Sequence, residues 1–311
     1  MSDRRCPQVV VIGSLNMDLV TRAERAPVKG ETVLGQGFDM VPGGKGANQA
    51  VALAKLNAEC TLIGARGDDD FGGQLVKSLD QHGVNTSKIK KVPGVTTGVA
   101  TIVVAEEDNS IIVVPGANFH CTPEDIEKEE ELIRQADVVL IQMEIPVETV
   151  CKGIELAAKH GTTVVLNPAP ARKLPAEIYS RIDYLTPNIT ELAILAGEEA
   201  ELQDKPEPRY EKMMRALADN GVKHVITTLG EEGAAYLAAH GEILTMPAYP
   251  VHVIDTTGAG DAFSAALAFS LGLGKPQKEA IEFASKAAAL SVTRFGAQAG
   301  MPSLAEIENA F

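Results

Sequence analysis

Residues 138–166, VVLIQMEIPVETVCKGIELAAKHGTTVVL, decide the fold. A β-branched run at 138–143 is followed by apolar residues at helical spacing over 147–160, and then by a second β-branched run at 163–166. Two strands joined by a helix run parallel, with the helix laid over one face of their sheet. The same alternation recurs elsewhere, with strand patterns at 9–12, 60–64 and 224–227 and helical periodicity at 46–56, 71–82 and 210–220. The prediction is an α/β fold of three layers, a mostly parallel central sheet flanked by helices.

Two segments break this rhythm. TVLGQGFDMV at 32–41 and GVATIVVAEEDNSIIVV at 98–114 read as strands joined by turns, with Glu106-Glu107-Asp108-Asn109 as a hairpin tip. They form a small second sheet in this reading, and pattern alone favours a lid and an edge extension of the main sheet equally. The acidic run at 124–131 reads as a solvated helix face.

The chain has 311 residues, which suits one large core with at most a small appendage. With 28 Lys and Arg against 42 Asp and Glu, the net charge of -14 repels polyanions and argues against nucleic acid as a partner. Cys6, Cys60, Cys121 and Cys151 show no CxxC spacing, so a reducing, cytoplasmic setting is expected. The first apolar run meets Asn16 and Asp18 before it reaches signal-peptide length. No run approaches the roughly 20 apolar residues of a membrane span. The histidines lack HExxH spacing, and no Ser–His arrangement is visible, so a zinc centre or hydrolase triad is not supported.

Chemistry gathers in four places. In VIDTTGAGD, 253–261, a strand ending near Asp255 and a helix starting near Gly258 would point free N–H groups at an anion. Gly258, Ala259 and Gly260 leave those amides unshielded, and Asp261 beside them makes sense as a proton acceptor. The bland alternative is an ordinary first-turn Asp that stabilises its helix by about 0.3–1 kcal/mol. In PGGKGANQA, 42–50, a glycine pair leads into a helix, while Lys45 and Asn48 offer a cation and an amide suited to hydroxyl groups. A glycine turn capping a helix is its bland alternative, and the spacing is not that of a P-loop. Asn16 and Asp18 alternate after the first strand and can face the same cleft.

Glu144 ends one apolar run, and Asn188 and Glu191 follow another, so all three belong near the carboxyl ends of strands where ligands collect. Asn188 with Glu191 also reads as an N-cap and its capping-box partner. TTLGEEG, 227–233, is either a hairpin turn or a loop that touches a nucleotide. No G-x-G-x-x-G follows the first strand, which sets aside a dinucleotide-dependent dehydrogenase.

Taken in order, VIGSLNMD at 11–18, GGKGAN at 43–48 and DTTGAGD at 255–261 resemble the signatures of the ribokinase-type (PfkB) carbohydrate kinases, and the likeness runs from about Val9 to the C-terminus. The segments 166–171, 186–188 and 292–298 resemble the ribose-phosphorylating members. The resemblance implies a single kinase domain over 1–311, with lid strands inserted at about 19–41 and 96–115 that also clasp a homodimer. It implies transfer of a phosphoryl group from ATP to the 5-hydroxyl of D-ribose, giving D-ribose 5-phosphate and ADP.

Carried over by motif, Asn16, Asp18, Gly44, Lys45, Gly46, Ala47, Asn48 and Glu144 would hold the sugar, with Asp261 as general base. The amides of Gly258, Ala259 and Gly260 would form an anion hole. Asn188, the turn Thr228, Leu229, Gly230, Glu231, Glu232 and Gly233, and Ser285 would line the nucleotide site together with Gly260 and Asp261. Mg²⁺ would bridge the ATP phosphates, with Glu191 acting through water. An activating K⁺ would sit near Asp255, Thr257, Ser291, Arg294, Gly296 and Gly300, where Gly300 stands in a place that near relatives fill with a serine hydroxyl. A kinase for deoxyribose, fructose or adenosine would keep the cradle but change the pocket at Asn16, Asp18 or Lys45. A non-catalytic sugar-binding protein would be expected to lose Asp261 or the glycines, and both are present.

Overall fold

The computed structural model describes residues 6–105, 108–198, 210–238 and 241–311. Numbered along the chain, its strands are β1 Gln8–Ile12, β2 Asn16–Arg22, β3 Gly37–Gly43, β4 Glu59–Gly67, β5 Ile89–Val92, β6 Gly98–Ala105 and β7 Asp108–Val114. The series continues with β8 Val138–Ile141, β9 Thr163–Leu166, β10 Tyr184–Leu185, β11 His224–Thr228, β12 Ala234–Ala238 and β13 Ile243–Met246. Among the described residues the main sheet has the order β13-β12-β11-β10-β9-β8-β1-β4-β5. It is parallel from β11 to β5, and β12 and β13 add an antiparallel edge.

The sheet is buried on both faces, which explains its unbroken apolar strands. Val10, Ile12, Val139 and Ile141 point to one side, against Val150 and Ile154 of the helix Val147–His160. Val9, Val11, Val138 and Leu140 point to the other, against Leu53 of the helix Lys45–Lys55 and Phe263 and Leu267 of the helix Ala259–Gly272. The helix at 147–160 has the bounds that its periodicity predicts and stops at Gly161, whose left-handed φ of 73° is a common helix end. The strand before it is shorter than expected. Its ladder ends at Ile141, because the Met143 amide donates to the Ala169 carbonyl and the chain turns away from the sheet.

The second sheet has the order β3-β2-β6-β7. The segment 98–114 is an antiparallel hairpin whose ladder runs down to Ala105 opposite Asp108; of its expected tip, Glu106 and Glu107 lie outside the described residues. The expected strand at 32–41 is corrected to Gly37–Gly43, since 32–36 is an exposed connection that returns to β2 through the Gln36 amide and the Arg22 carbonyl. The sheet also begins earlier than position 19, with Asn16 already paired to Gly43 and Gly98. The acidic run at 124–131 falls on two short helices, Pro123–Glu127 and Glu130–Gln135, with Glu124, Glu127 and Glu131 exposed and Ile126 and Ile133 buried.

The run at 253–255 is likewise not a strand. Val253 and Ile254 are exposed, and the amides of Ile254 and Asp255 both reach the Val292 carbonyl at the end of the helix Gln277–Ser291. The end of the molecule at the carboxyl ends of the parallel strands is made of the turns beyond β1, β8, β9, β10 and β11, together with the start of the helices at 45 and 259.

Close approach of the helix Lys45–Lys55 to the β1–β2 corner depends on Gly46, where a Cβ would stand 2.5 Å from the Ser14 nitrogen and 2.7 Å from the Gly13 carbonyl carbon. Both obstacles are backbone and cannot rotate away. Gly46→Ala is expected to lower stability by about 1–3 kcal/mol, seen as a lower urea midpoint at unchanged slope. An unchanged midpoint would show that the corner has slack.

Candidate active site

The β1–β2 corner is fastened first. Asn118 accepts from the Leu15 amide at 2.9 Å and donates to the Leu15 carbonyl at 3.1 Å and to Asn16 Oδ1 at 2.7 Å. Glu144, just past β8, receives the Ser14 hydroxyl, the Lys45 amide at 3.0 Å and Asn16 Nδ2 at 3.4 Å on one carboxylate oxygen. Gly44 turns the chain into its helix with φ of 88°, and a Cβ there would lie 2.6 Å from the Asn16 nitrogen. A Cβ on Gly43 would strike the Asp18 carboxylate. The predicted group Asn16, Asp18, Gly44, Lys45 and Glu144 is thus brought together. Gly46 and Ala47 join it as scaffold, since their amides donate to the Ser14 hydroxyl at 3.3 Å and the Ser14 carbonyl at 2.9 Å.

Asp261 lies in the first turn of the helix Ala259–Gly272 and is only 4% exposed. Asn48 Nδ2 donates to one of its oxygens at 3.0 Å and Gln49 Nε2 to the other at 2.9 Å. Behind them, Gln298 donates to Asn48 Oδ1 at 3.2 Å, Gln49 also donates to Asn167 Oδ1 at 3.1 Å, and Gln142 donates to Gln49 Oε1. These supporting amides are missing from the residues that the sequence singles out as a site, although Gln49 and Gln142 stand inside its quoted stretches.

The glycines before Asp261 have separate tasks. Gly258 supplies a left-handed φ of 83° at the helix start, whereas a Cβ on Gly260 would enter open space, so Gly260 keeps the approach clear. Of the three predicted anion-hole amides, that of Ala259 already donates to the Thr256 carbonyl at 3.2 Å.

Charge is concentrated at this end. Burial, followed by the charges of Glu144 and Asp261, pushes the Asp18 carboxyl up to about 7 against the pull of Lys45. Burial alone would depress the Lys45 ammonium, but Asp261, Glu144, Glu191 and Asp18 together hold it above the ordinary lysine value. Glu191 is raised by burial and by Asp261, against the Asn188 amide and Lys45.

Beyond Asp261 a cleft of about 680 Å³ opens between the β11–β12 turn and the helix Gln277–Ser291. Thr228, Gly230, Glu231, Gly233 and Ser285 line it as expected, and Gly260 faces it from the helix start. The turn is also the hairpin of the bland reading, closed by the Leu229 amide on the Gly233 carbonyl at 2.8 Å; Leu229 and Glu232 are not on the wall. Asn188 stands behind the wall, bridged to Thr228, and forms the expected capping box with Glu191. Tyr249, Val251 and Ala289 also line it, without any sequence signal that marks them. A cavity of about 690 Å³ at the far end of the helix Ala259–Gly272, beside Pro7 and Phe269, contains none of these site residues.

Next to the cleft, the two oxygens of Asp255 accept the amides of Thr257 at 2.9 Å and Gly296 at 2.8 Å. A Cβ on Gly300 would stand 2.7 Å from the Ser291 carbonyl oxygen and 3.7 Å from that of Arg294, so these carbonyls converge at Gly300. The Arg294 side chain turns away to Glu306. Thr257 is exposed.

Asp18 gives a test. Its folded-state value stands above the ordinary 3.8, so the stability it contributes is full below about pH 4 and is lost as pH rises through about 7. In the free protein, the melting temperature of Asp18→Asn should exceed that of the wild type by a margin that widens from pH 4 to pH 8. A constant or shrinking margin would contradict the burial of this charge.

Comparisons with known proteins give the family and the fold. Residues 7–304 match the model of the pfkB family of carbohydrate kinases. The chain is 45% identical over 300 residues to ribokinase of Bacillus subtilis (strain 168), covering 96% of this chain and 98% of that protein. It is 39% identical over 298 residues to deoxyribokinase of Salmonella typhi, covering 95% and 96%. The solved structure of Arabidopsis thaliana ribokinase complexed with ribose and ATP superposes with a TM-score of 0.89 at 34% identity, covering 98% of both chains. With the nearly full-length match and a buried acid at a glycine-led helix start, the chain belongs to the pfkB family of carbohydrate kinases.

Proposed function

We propose that this chain transfers the γ-phosphoryl group of ATP to the 5-hydroxyl of D-ribose, with Asp261 as the general base. The observation that carries this reading is the Asp261 carboxylate, buried and gripped by Asn48 and Gln49 between the Asn16–Asp18–Glu144 corner and the cleft beside Gly260. The likeness to ribokinases, one of them complexed with ribose and ATP, supports the choice of sugar and nucleotide.

In this reading Asn16, Asp18, Lys45, Asn48 and Glu144 hold the sugar hydroxyls. Asp261 accepts the proton of the 5-hydroxyl while that oxygen forms a bond to the γ-phosphorus and the bond to the β-phosphate oxygen breaks, releasing ADP. The amides of Gly258 and Gly260 stabilise the charge on the transferring group; that of Ala259 joins them only if it leaves Thr256. The nucleotide lies in the cleft between Gly230 and Ser285. Mg²⁺, when bound with ATP, would neutralise phosphate charge, and Glu191, which feels both Lys45 and Asp261, is the residue that would hold it through water. The converging carbonyls of Ser291 and Arg294 fit a K⁺ ion, with Asp255 shaping the loop around them.

The whole chain works as one kinase domain in the cytoplasm, with the second sheet as lid and dimer clasp. Its ladder puts Met40, Leu19, Thr101 and Ile112 in one row, on the face opposite Asn16 and Asp18. On that face Phe38 is 59% and Ile112 69% exposed, an apolar surface suited to a second copy. Sedimentation at micromolar concentration should give a dimer; a clean monomer would remove the clasp.

ADP release measured with D-ribose, 2-deoxyribose, fructose and adenosine tests the substrate. The highest kcat/KM is expected on D-ribose, and Asp261→Asn should lose about 10²- to 10⁴-fold in kcat. The similarity to a deoxyribokinase makes 2-deoxyribose the second reading, and preference for it would overturn the first.

A further inference from the structure

We propose that Gln49 is a positioning residue for Asp261, holding the carboxylate in register with the carboxyl ends of β8, β9 and β10. The inference rests on the reading of Asp261 as the base and adds a residue behind the reacting atoms.

A glutamine amide has two N–H donors and one acceptor oxygen, and the three are all engaged in Gln49. Its nitrogen donates to Asp261 Oδ1 at 2.9 Å and to Asn167 Oδ1 at 3.1 Å, and its oxygen accepts from Gln142 Nε2. Rotating the amide by half a turn would set its oxygen against the oxygens of Asp261 and Asn167, and its NH₂ against that of Gln142. Only one orientation satisfies the group, and the side chain is fully buried, so water cannot supply an alternative. Its anchors are themselves fixed. Gln142 follows the last residue of β8, while Asn167 follows β9, donates its backbone amide to Ile141 and gives its side-chain NH₂ to the Thr186 carbonyl beyond β10.

Asp261 gains from this an anchor that its own helix does not provide. That helix starts at a left-handed glycine after an irregular stretch at 247–257. The second donor, Asn48, also belongs to the sugar group in the proposed function. Gln49 is therefore the donor that ties the carboxylate to the sheet alone. With one amide on each oxygen, the remaining lone pairs of Asp261 are left for the substrate hydroxyl. An orienting contact of this kind acts on the bond-forming step, where a displacement of about 1 Å can cost about 10²-fold.

The test compares Gln49→Met, which keeps the volume and loses the polar contacts, with Gln49→Glu, which keeps the shape and faces Asp261 with a carboxylate. Both should lower kcat by about 10- to 100-fold while KM for D-ribose and ATP stays within about threefold, on protein shown by circular dichroism to be folded. A packing role alone would leave kcat of both variants near wild type, and that result would overturn the proposal. A raised KM at unchanged kcat would overturn it too, by making Gln49 a sugar contact. If neither variant folds, Gln142→Met releases Gln49 from behind, and kcat should fall less steeply at unchanged KM; an unchanged kcat there rejects the proposal. Asp261→Asn, run alongside, separates the two readings. Activity retained in Asp261→Asn removes the base and this inference with it, whereas activity lost there but kept in Gln49→Met removes this inference alone.

Discussion

A carboxylate taken almost wholly out of water must be hydrogen-bonded where it sits, and the arrangement around Asp261 follows from that constraint. Leaving such a group unpaired would cost several kcal/mol. The adjacent residues Asn48 and Gln49 meet the need from one helix, which is possible only because that helix is pressed onto the β1–β2 corner. The press is the work of Gly44 and Gly46, where side chains would collide with backbone. A glycine-rich stretch that reads as a ligand loop is thus also a packing device. Its result is a carboxylate, Asp261, fixed between two layers.

The charges around the base form a second pattern. Asp261, Glu144, Glu191 and Asp18 surround the half-buried Lys45, whose charge is held in place by their combined field. Burial, followed by the charges of Glu144 and Asp261, leaves Asp18 raised in this set. The polyhydroxyl ligand of the proposed function would ease this, because hydroxyl groups donate to carboxylates and replace the water that burial has removed. The cleft beside Gly260 differs in kind. Its walls are a hairpin turn, small helix residues and Tyr249, with polar groups from Thr228, Glu231, Thr256 and Ser285.

Much of the fold is legible in the sequence where local and tertiary signals agree. The helix at 147–160 is readable to the residue because an apolar stripe ends on a left-handed Gly161, and the hairpin at 98–114 because two β-branched runs flank a polar stretch. Asn188 and Glu191 show their capping box through spacing alone. The reading fails where tertiary contacts decide. Val253 and Ile254 have strand chemistry but lie exposed, and the amides of Ile254 and Asp255 are pinned by one carbonyl at the end of a distant helix. The connection at 32–36 carries Val33 and Leu34 without pairing as a strand. Gln49, Gln142, Asn167 and Gln298 are ordinary residues in a one-dimensional reading, and their meaning appears only when four separate segments meet at Asp261.

The most direct test of the account is a proton-coupled ³¹P NMR spectrum of the reaction with D-ribose, ATP and Mg²⁺. A phosphate on the 5-oxygen couples to the two C5 protons, so the account predicts a phosphomonoester triplet that grows as ADP forms. A phosphomonoester doublet would place the phosphoryl group on a carbon bearing a single proton, and inorganic phosphate alone would mean transfer to water; either result would contradict the account.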